Sequence, residues 1–163
     1  DESNFGEAER ILFSKTNSHN NIHRIIGEED PEKEAERYSE VLKNNLPFKN
    51  NFPEIDLIIL GMGDDGHTAS IFPDRMDLLR TEKYCEVAVH PVSKQKRITL
   101  TGKVINNSAK IVFLVTGKNK SEIVNDIFKK NIGYEKFPAS HIKGNGGNVI
   151  WYLDNEAAHL PGK

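Results

Sequence analysis

Two rhythms of apolar and polar positions run along this chain, one with the period of an α-helix and one made of short, nearly unbroken apolar runs. Phe5, Ala8, Ile11 and Leu12 form the stripe of an amphipathic helix, with Ser3 and Asn4 as caps and Glu7 in capping-box spacing to Asn4. An Asn-rich polar stretch from Asn17 to Asn21 leads into a short extended segment, Ile22 to Ile26. Asp30-Pro31-Glu32 then starts a second helix with a cap, a proline at the first helical position and an acid in the first turn. Ala35, Tyr38, Val41, Leu42 and Leu46 supply its buried face.

Ile55 to Leu60 (IDLIIL), bracketed by Pro53 and Gly61, predicts a strand covered on both faces, the habit of parallel sheets. Ile111 to Val115 (IVFLV) repeats the pattern and ends at Gly117. A helix follows, with Asn119 as its cap, Glu122 three residues later, and Ile123, Val124, Ile127 and Phe128 facing inward. Between the two runs, Glu86–His90 and Arg97–Thr101 read as extended. Val149 to Leu153 is a late strand, and Asp154-Asn155-Glu156 opens a short terminal helix. Helices alternating with buried strands predict a three-layer α/β/α sandwich with a mainly parallel, Rossmann-like sheet. No internal repeat, low-complexity tract or linker interrupts it, so residues 1–163 read as one domain.

Composition narrows the function. The 163 residues hold 22 Lys+Arg against 24 Asp+Glu, a net charge of −2, which offers no basic field for nucleic acid or anionic lipid. No apolar run approaches the ~20 residues of a membrane helix. The single cysteine, Cys85, cannot form an internal disulfide, which suits a reducing compartment and predicts a cytoplasmic protein.

The chemistry concentrates in Gly61-Met62-Gly63-Asp64-Asp65-Gly66-His67-Thr68-Ala69-Ser70-Ile71-Phe72-Pro73, directly after the first buried strand. In open α/β sheets ligands bind at the carboxyl ends of strands. Three closely spaced glycines allow a tight turn whose N–H groups can face an anion. Gly61, Gly63 and Gly66 formally spell G-x-G-x-x-G. Pro73 breaks the following helix within two turns, however, and the next strand ends in His90 rather than an acid, so a dinucleotide site is set aside. Two readings of His67 remain. It caps the turn beside solvated aspartates, or it takes a proton from water while Asp64 or Asp65 fixes its tautomer or orients a substrate hydroxyl.

That thirteen-residue segment resembles the signature of the 6-phosphogluconolactonases of the pentose phosphate pathway. Ser3-Asn4-Phe5-Gly6, Arg97-Ile98-Thr99-Leu100-Thr101, Phe137-Pro138-Ala139-Ser140 and Trp151 to Asp154 with Ala157 and Ala158 extend the resemblance over nearly the whole chain. It implies a fold shared with sugar-phosphate isomerases and deaminases, and hydrolysis of 6-phospho-D-glucono-1,5-lactone to 6-phosphogluconate without metal or organic cofactor. The substrate partner is a phosphorylated sugar lactone; nucleic acid and membrane are not expected partners. His67 inherits the role of catalytic base. Gly63, Asp64, Asp65 and Gly66 line the substrate, and N–H groups near Gly63 are candidates to hold the oxyanion. Lys94 or Lys96 inherits the substrate-phosphate lysine, the local wording leaving the choice open, and Arg97 either joins it or pairs with a carboxylate. The chain opens on Asp1-Glu2 without the strands that family members carry before the S-N-F-G helix. It therefore reads as the C-terminal two-thirds of such a domain, expected to expose apolar faces around Ile55–Leu60 and to be a poor or inactive lactonase alone.

Two other functions compete. Glucosamine-6-phosphate deaminases share a Gly-rich D-G-H turn but continue I-A-F-N-E-P, where this chain reads Thr68 to Pro73. A non-catalytic sugar-phosphate sensor would need no His67. Ser70 lacks a G-x-S-x-G setting and reads as a helix-start hydroxyl. Cys85 and Trp151 read as core residues, and Gly144, Gly146 and Gly147 as a turn. His19 and His23 lack the H-E-x-x-H pattern of a metal site.

Overall fold

The computed structural model describes residues 4–16 and 21–159. Ser3 and His19 lie outside them, as does most of the Asn-rich stretch. Helix α1 spans Asn4–Ile11, but its expected apolar stripe is not buried: Ile11 and Leu12 are both more than half exposed. Helix α2, Pro31–Asn45, begins as its sequence dictates. The Asp30 side chain accepts from the Lys33 N–H (3.0 Å), and Pro31 fills the first turn, where its missing N–H leaves nothing unpaired.

A minimal hairpin, β1 (Phe48–Lys49) and β2 (Phe52–Pro53), leads into β3, Ile58–Leu60. The next two strands, β4 (Cys85–Val89) and β5 (Lys96–Leu100), pair antiparallel as a separate ribbon. Helix α3, Gly102–Asn106, was not marked by the sequence pattern; a Cβ on Gly102 would lie 2.6 Å from Leu79 Cα, so only glycine permits this approach. The chain then enters β6 (Ile111–Val115), α4 (Ser121–Lys129) and β7 (Val149–Leu153). Strands β3, β6 and β7 form a parallel sheet in the order β3-β6-β7, with Ile59 opposite Val112 and Val112 opposite Ile150. Asp154 closes the chain into turns rather than a helix, its carboxylate accepting from the Ala157 N–H (2.7 Å).

The core lies on one face of this sheet. Ile58, Leu60, Ile111, Phe113 and Val115 pack with Ile71, Phe72, Leu78 and Ala139, and Trp151 stacks on Phe113 with ring centroids 4.0 Å apart. A second cluster joins Ala35 and Leu42 of α2 to Cys85 and Ile98 of the ribbon. Burial pushes the Cys85 thiol up to about 11, so it is a small core residue rather than a thiolate. The opposite face of the parallel sheet is bare among the described residues. Ile59 is 61 % exposed and Tyr152 60 %, with Leu114 and Ile150 beside them. The expectation of a strand covered on both faces is therefore met on one face only, and the anticipated apolar exposure around Ile55–Leu60 is present.

Candidate active site

β3 ends at Leu60, and the glycine-rich loop begins at once. The Gly63 N–H donates to the His67 carbonyl (2.9 Å) and the Gly66 N–H to the Gly63 carbonyl (3.0 Å), closing the turn. The Thr68 hydroxyl donates to the Gly61 carbonyl (2.9 Å). Two neighbours pin the loop from outside: the Ser70 N–H donates to the Thr99 hydroxyl of β5 (3.1 Å), and the Ala139 N–H to the Gly66 carbonyl (3.0 Å). Gly66 has φ +78°, and a Cβ there would fall 2.5 Å from the Phe137 ring. Both the left-handed backbone and the close approach demand glycine.

Within this frame His67 is held firmly. Its Nδ1 lies 2.6 Å from Asp65 Oδ1, which also accepts the His67 backbone N–H (3.0 Å). An ionised carboxylate only accepts, so Nδ1 carries the hydrogen and Nε2 keeps its lone pair. The Phe72 ring, fully buried, braces the imidazole at 4.8 Å. The His67 side chain remains 24 % exposed, within reach of a ligand. Gly63 supplies the room: a Cβ there would lie 2.1 Å from the imidazole. Its N–H is engaged by the His67 carbonyl, so an oxyanion held by N–H groups near Gly63 would fall to its neighbours on the turn. On the same turn, the N–H groups of Asp64 and Asp65 have no hydrogen-bond partner among the described residues.

Asp64 points away from His67, toward the loop after β6. There the Lys120 ammonium pairs with Asp64 Oδ1, and Asn119 Nδ2 donates to the same oxygen (2.8 Å). Asn119 is thus not the cap of α4, which has no side-chain cap. The Lys120 side chain is only 15 % exposed, and burial holds its pKa below the ordinary lysine value. Gly117, at φ +95°, donates its N–H to the Asp154 carboxylate (3.0 Å), tying the ends of β6 and β7 together. The carboxyl ends of β3, β6 and β7 therefore meet at one edge. Lys120 was not singled out from the sequence, and Asp154 stood there only as a helix start and as part of the family resemblance. The rule that drew attention to the end of β3 applies equally to the run IVFLV, and points to both loops.

The three cations of the ribbon separate. In β5 the side chains alternate, and Thr99 faces the glycine loop. Arg97 shares that face and has no partner among the described residues. Lys96 projects to the other side and pairs with Glu32 of α2 (2.7 Å). Lys94 sits at the exposed turn in left-handed backbone (φ +59°), its ammonium folded onto the Pro91 carbonyl (2.7 Å). Among the described residues no three His, Cys, Asp or Glu side chains are arranged to hold a metal, and no helix is long and apolar enough to cross a membrane.

A family model described as glucosamine-6-phosphate isomerases/6-phosphogluconolactonase matches residues 1–151. This chain belongs to that family. It is 41 % identical over 160 residues to a 6-phosphogluconolactonase of Haemophilus influenzae, covering 98 % of this chain and 67 % of the relative. A crystal structure of devB protein superimposes with TM-score 0.88 at 44 % identity, over 96 % of this chain and 66 % of that one. The 6-phosphogluconolactonase of Thermotoga maritima gives 0.79 at 29 %, over 94 % and 65 %. The α/β fold with its parallel sheet is that of the family, and the chain spans about two thirds of the length of these relatives.

Proposed function

We propose that this chain performs the chemistry of a 6-phosphogluconolactonase, opening 6-phospho-D-glucono-1,5-lactone with water. The observation that carries the reading is the Asp65–His67 pair at the carboxyl edge of the sheet. Asp65 fixes the imidazole so that Nε2 faces outward as a base. As a water attacks the lactone carbonyl carbon, Nε2 takes its proton and the carbonyl oxygen becomes an oxyanion. When the tetrahedral intermediate collapses, the bond from that carbon to the ring oxygen breaks. The imidazolium returns the proton to the leaving oxygen, which becomes the sugar's free hydroxyl. General-base catalysis of this kind contributes ~10²–10⁴-fold. The N–H groups of Asp64 and Asp65, which have no partner among the described residues, are the donors we assign to the developing charge, a role worth ~10²–10³-fold.

The substrate's phosphate calls for fixed cations. Lys120 and Arg97 are the two we assign to it. One is largely buried beside Asp64 and the other shares the loop-facing side of β5. Lys96 is left out because it projects to the other side of β5, toward α2. The naming of relatives at about 40 % identity as lactonases supports this reading over amino-sugar phosphate deamination.

The test measures acid release from freshly prepared 6-phosphogluconolactone against its spontaneous hydrolysis, for the chain and for His67→Ala. The chain alone is expected to accelerate opening only weakly, and the variant to lose that acceleration by up to about 10²–10⁴-fold. Ammonia release from glucosamine 6-phosphate, or unchanged turnover in His67→Ala, would overturn the assignment.

A further inference from the structure

The turn joining β4 to β5 is closed by a side chain that the mechanism above does not use. His90 follows β4, and its Nδ1 accepts two successive backbone N–H groups, from Val92 (3.3 Å) and Ser93 (3.1 Å). Its own N–H donates to the Gln95 carbonyl (2.9 Å), and its carbonyl accepts from the Lys94 N–H (3.0 Å). Four bonds thus converge on one residue. Two amides aimed at Nδ1 require a lone pair there, so the ring hydrogen sits on Nε2. The same ring stands edge-on to Phe72, with centroids 5.3 Å apart at 82°, and Phe72 in turn braces His67 at 4.8 Å. His90, Phe72 and His67 form a row, so one buried phenyl links the ribbon's turn to the proposed base.

We propose that His90 is a positioning residue: by capping the 91–95 turn through Nδ1 and seating it on Phe72, it sets where Arg97 stands relative to His67. This rests on the lactonase reading and adds a residue to it. Arg97 is two residues past the turn, paired through its backbone with Ala88, and its guanidinium has no bonded partner among the described residues. Its place therefore depends on the register and twist of the ribbon that carries it. Without the Nδ1 acceptor, the Val92 and Ser93 amides lose their partner in an exposed turn, and the ribbon end is free to open. An asparagine can supply an equivalent acceptor to amides two and three residues on, as in an Asx turn. A phenylalanine keeps the ring contact with Phe72 but removes the acceptor.

The experiment compares wild type, His90→Asn and His90→Phe by amide hydrogen exchange and by kinetics on two lactones, 6-phosphogluconolactone and unphosphorylated glucono-1,5-lactone. We expect H90F to lose about tenfold protection at Val92 and Ser93 and to raise KM about tenfold for the phosphorylated substrate alone, with kcat changed little. H90N is expected to restore both. The imidazole ¹⁵N shifts of the wild type should show Nδ1 unprotonated in the neutral ring. Unchanged exchange in H90F, or equal losses on both lactones, would overturn the proposal. Absence of turnover in the wild type would instead refute the reading that this chain by itself performs the lactonase chemistry. In that event, exchange lost in H90F and kept in H90N would still establish the latch, and exchange unaltered in both would refute it.

Discussion

Replacing Gly63 by alanine isolates the positioning of His67 from the stability of the fold. Gly63 does not occupy the left-handed region, so alanine brings no backbone strain. The new Cβ would nevertheless lie 2.1 Å from both Cε1 and Nδ1 of His67, and 2.9 Å from Asp65 Oδ1. Carbon atoms in contact sit at about 3.5–4.0 Å, so the ring must retreat by more than about 1 Å. Because the side chain is 24 % exposed, it can swing outward without disturbing the core. It cannot do so and keep the 2.6 Å bond to Asp65. A misplacement of about 1 Å at a reacting group lowers rate by ~10²-fold. Gly63→Ala should therefore lose about 10²-fold or more in kcat while Tm moves by no more than about 2–4 °C, the equivalent of ~1 kcal/mol. Gly66→Ala supplies the contrast. Its φ of +78° and its Cβ approach of 2.8 Å to Phe137 Cβ fall on buried structure. Strain and overpacking of ~1–3 kcal/mol each should lower Tm by about 5–15 °C. Acid-release kinetics and thermal unfolding of the two proteins decide the matter. Gly63→Ala with wild-type kcat, or with a rate loss matched by loss of folded protein, would refute the reasoning.

Three further outcomes follow from the same geometry. Asp65→Asn offers the imidazole a neutral partner that can also donate, so the wrong tautomer becomes accessible; kcat should fall by about 10²–10⁴-fold with KM nearly constant, read in a steady-state titration. Lys120→Ala should raise KM for the phosphorylated lactone by about 10–10²-fold and leave unphosphorylated glucono-1,5-lactone unaffected, whereas Lys96→Ala, removing only the surface pair with Glu32, should stay within about twofold on both. The buried Glu34 carboxylate accepts from Arg37 Nε (2.5 Å) and Nη2 (2.7 Å) and from the Ile26 N–H (2.7 Å), and the Arg37 bonds hold it below the usual carboxylate range. A carboxyl depressed in the folded state contributes stability that is present above its unfolded value, ~4.3, and is lost as pH falls through the folded one. Glu34→Gln should be less stable at pH 7 and show a shallower fall in Tm between pH 6 and 3.

Much of this architecture is written in short-range patterns. Asp30-Pro31 starts α2 because a capping carboxylate and a missing N–H act within one turn of helix. The runs at Ile58–Leu60 and Ile111–Val115 become parallel strands because nearly unbroken apolar residues bounded by glycine favour a parallel sheet, whose one face here packs on the core. The glycine loop with His67 is equally local: Gly63, Asp65, Gly66 and His67 are bonded to one another within five residues. What the sequence could not apportion were contacts between segments far apart in the chain. It left Asp64 and Asp65 interchangeable; only the arrival of the β6 loop, bringing Asn119 and Lys120, assigns Asp64 outward and leaves Asp65 to His67. It left Lys94, Lys96 and Arg97 as one cluster; the period of a strand wedged between α2 and the glycine loop sends Lys96 to one side and Arg97 to the other. It placed Ile11, Leu12 and Ile59 inside because pattern reports which residues are apolar, not whether a neighbouring layer covers them. Local free energy chooses the helix, the strand and the turn. Which charge meets which, and which apolar face stays bare, is decided when those pieces pack.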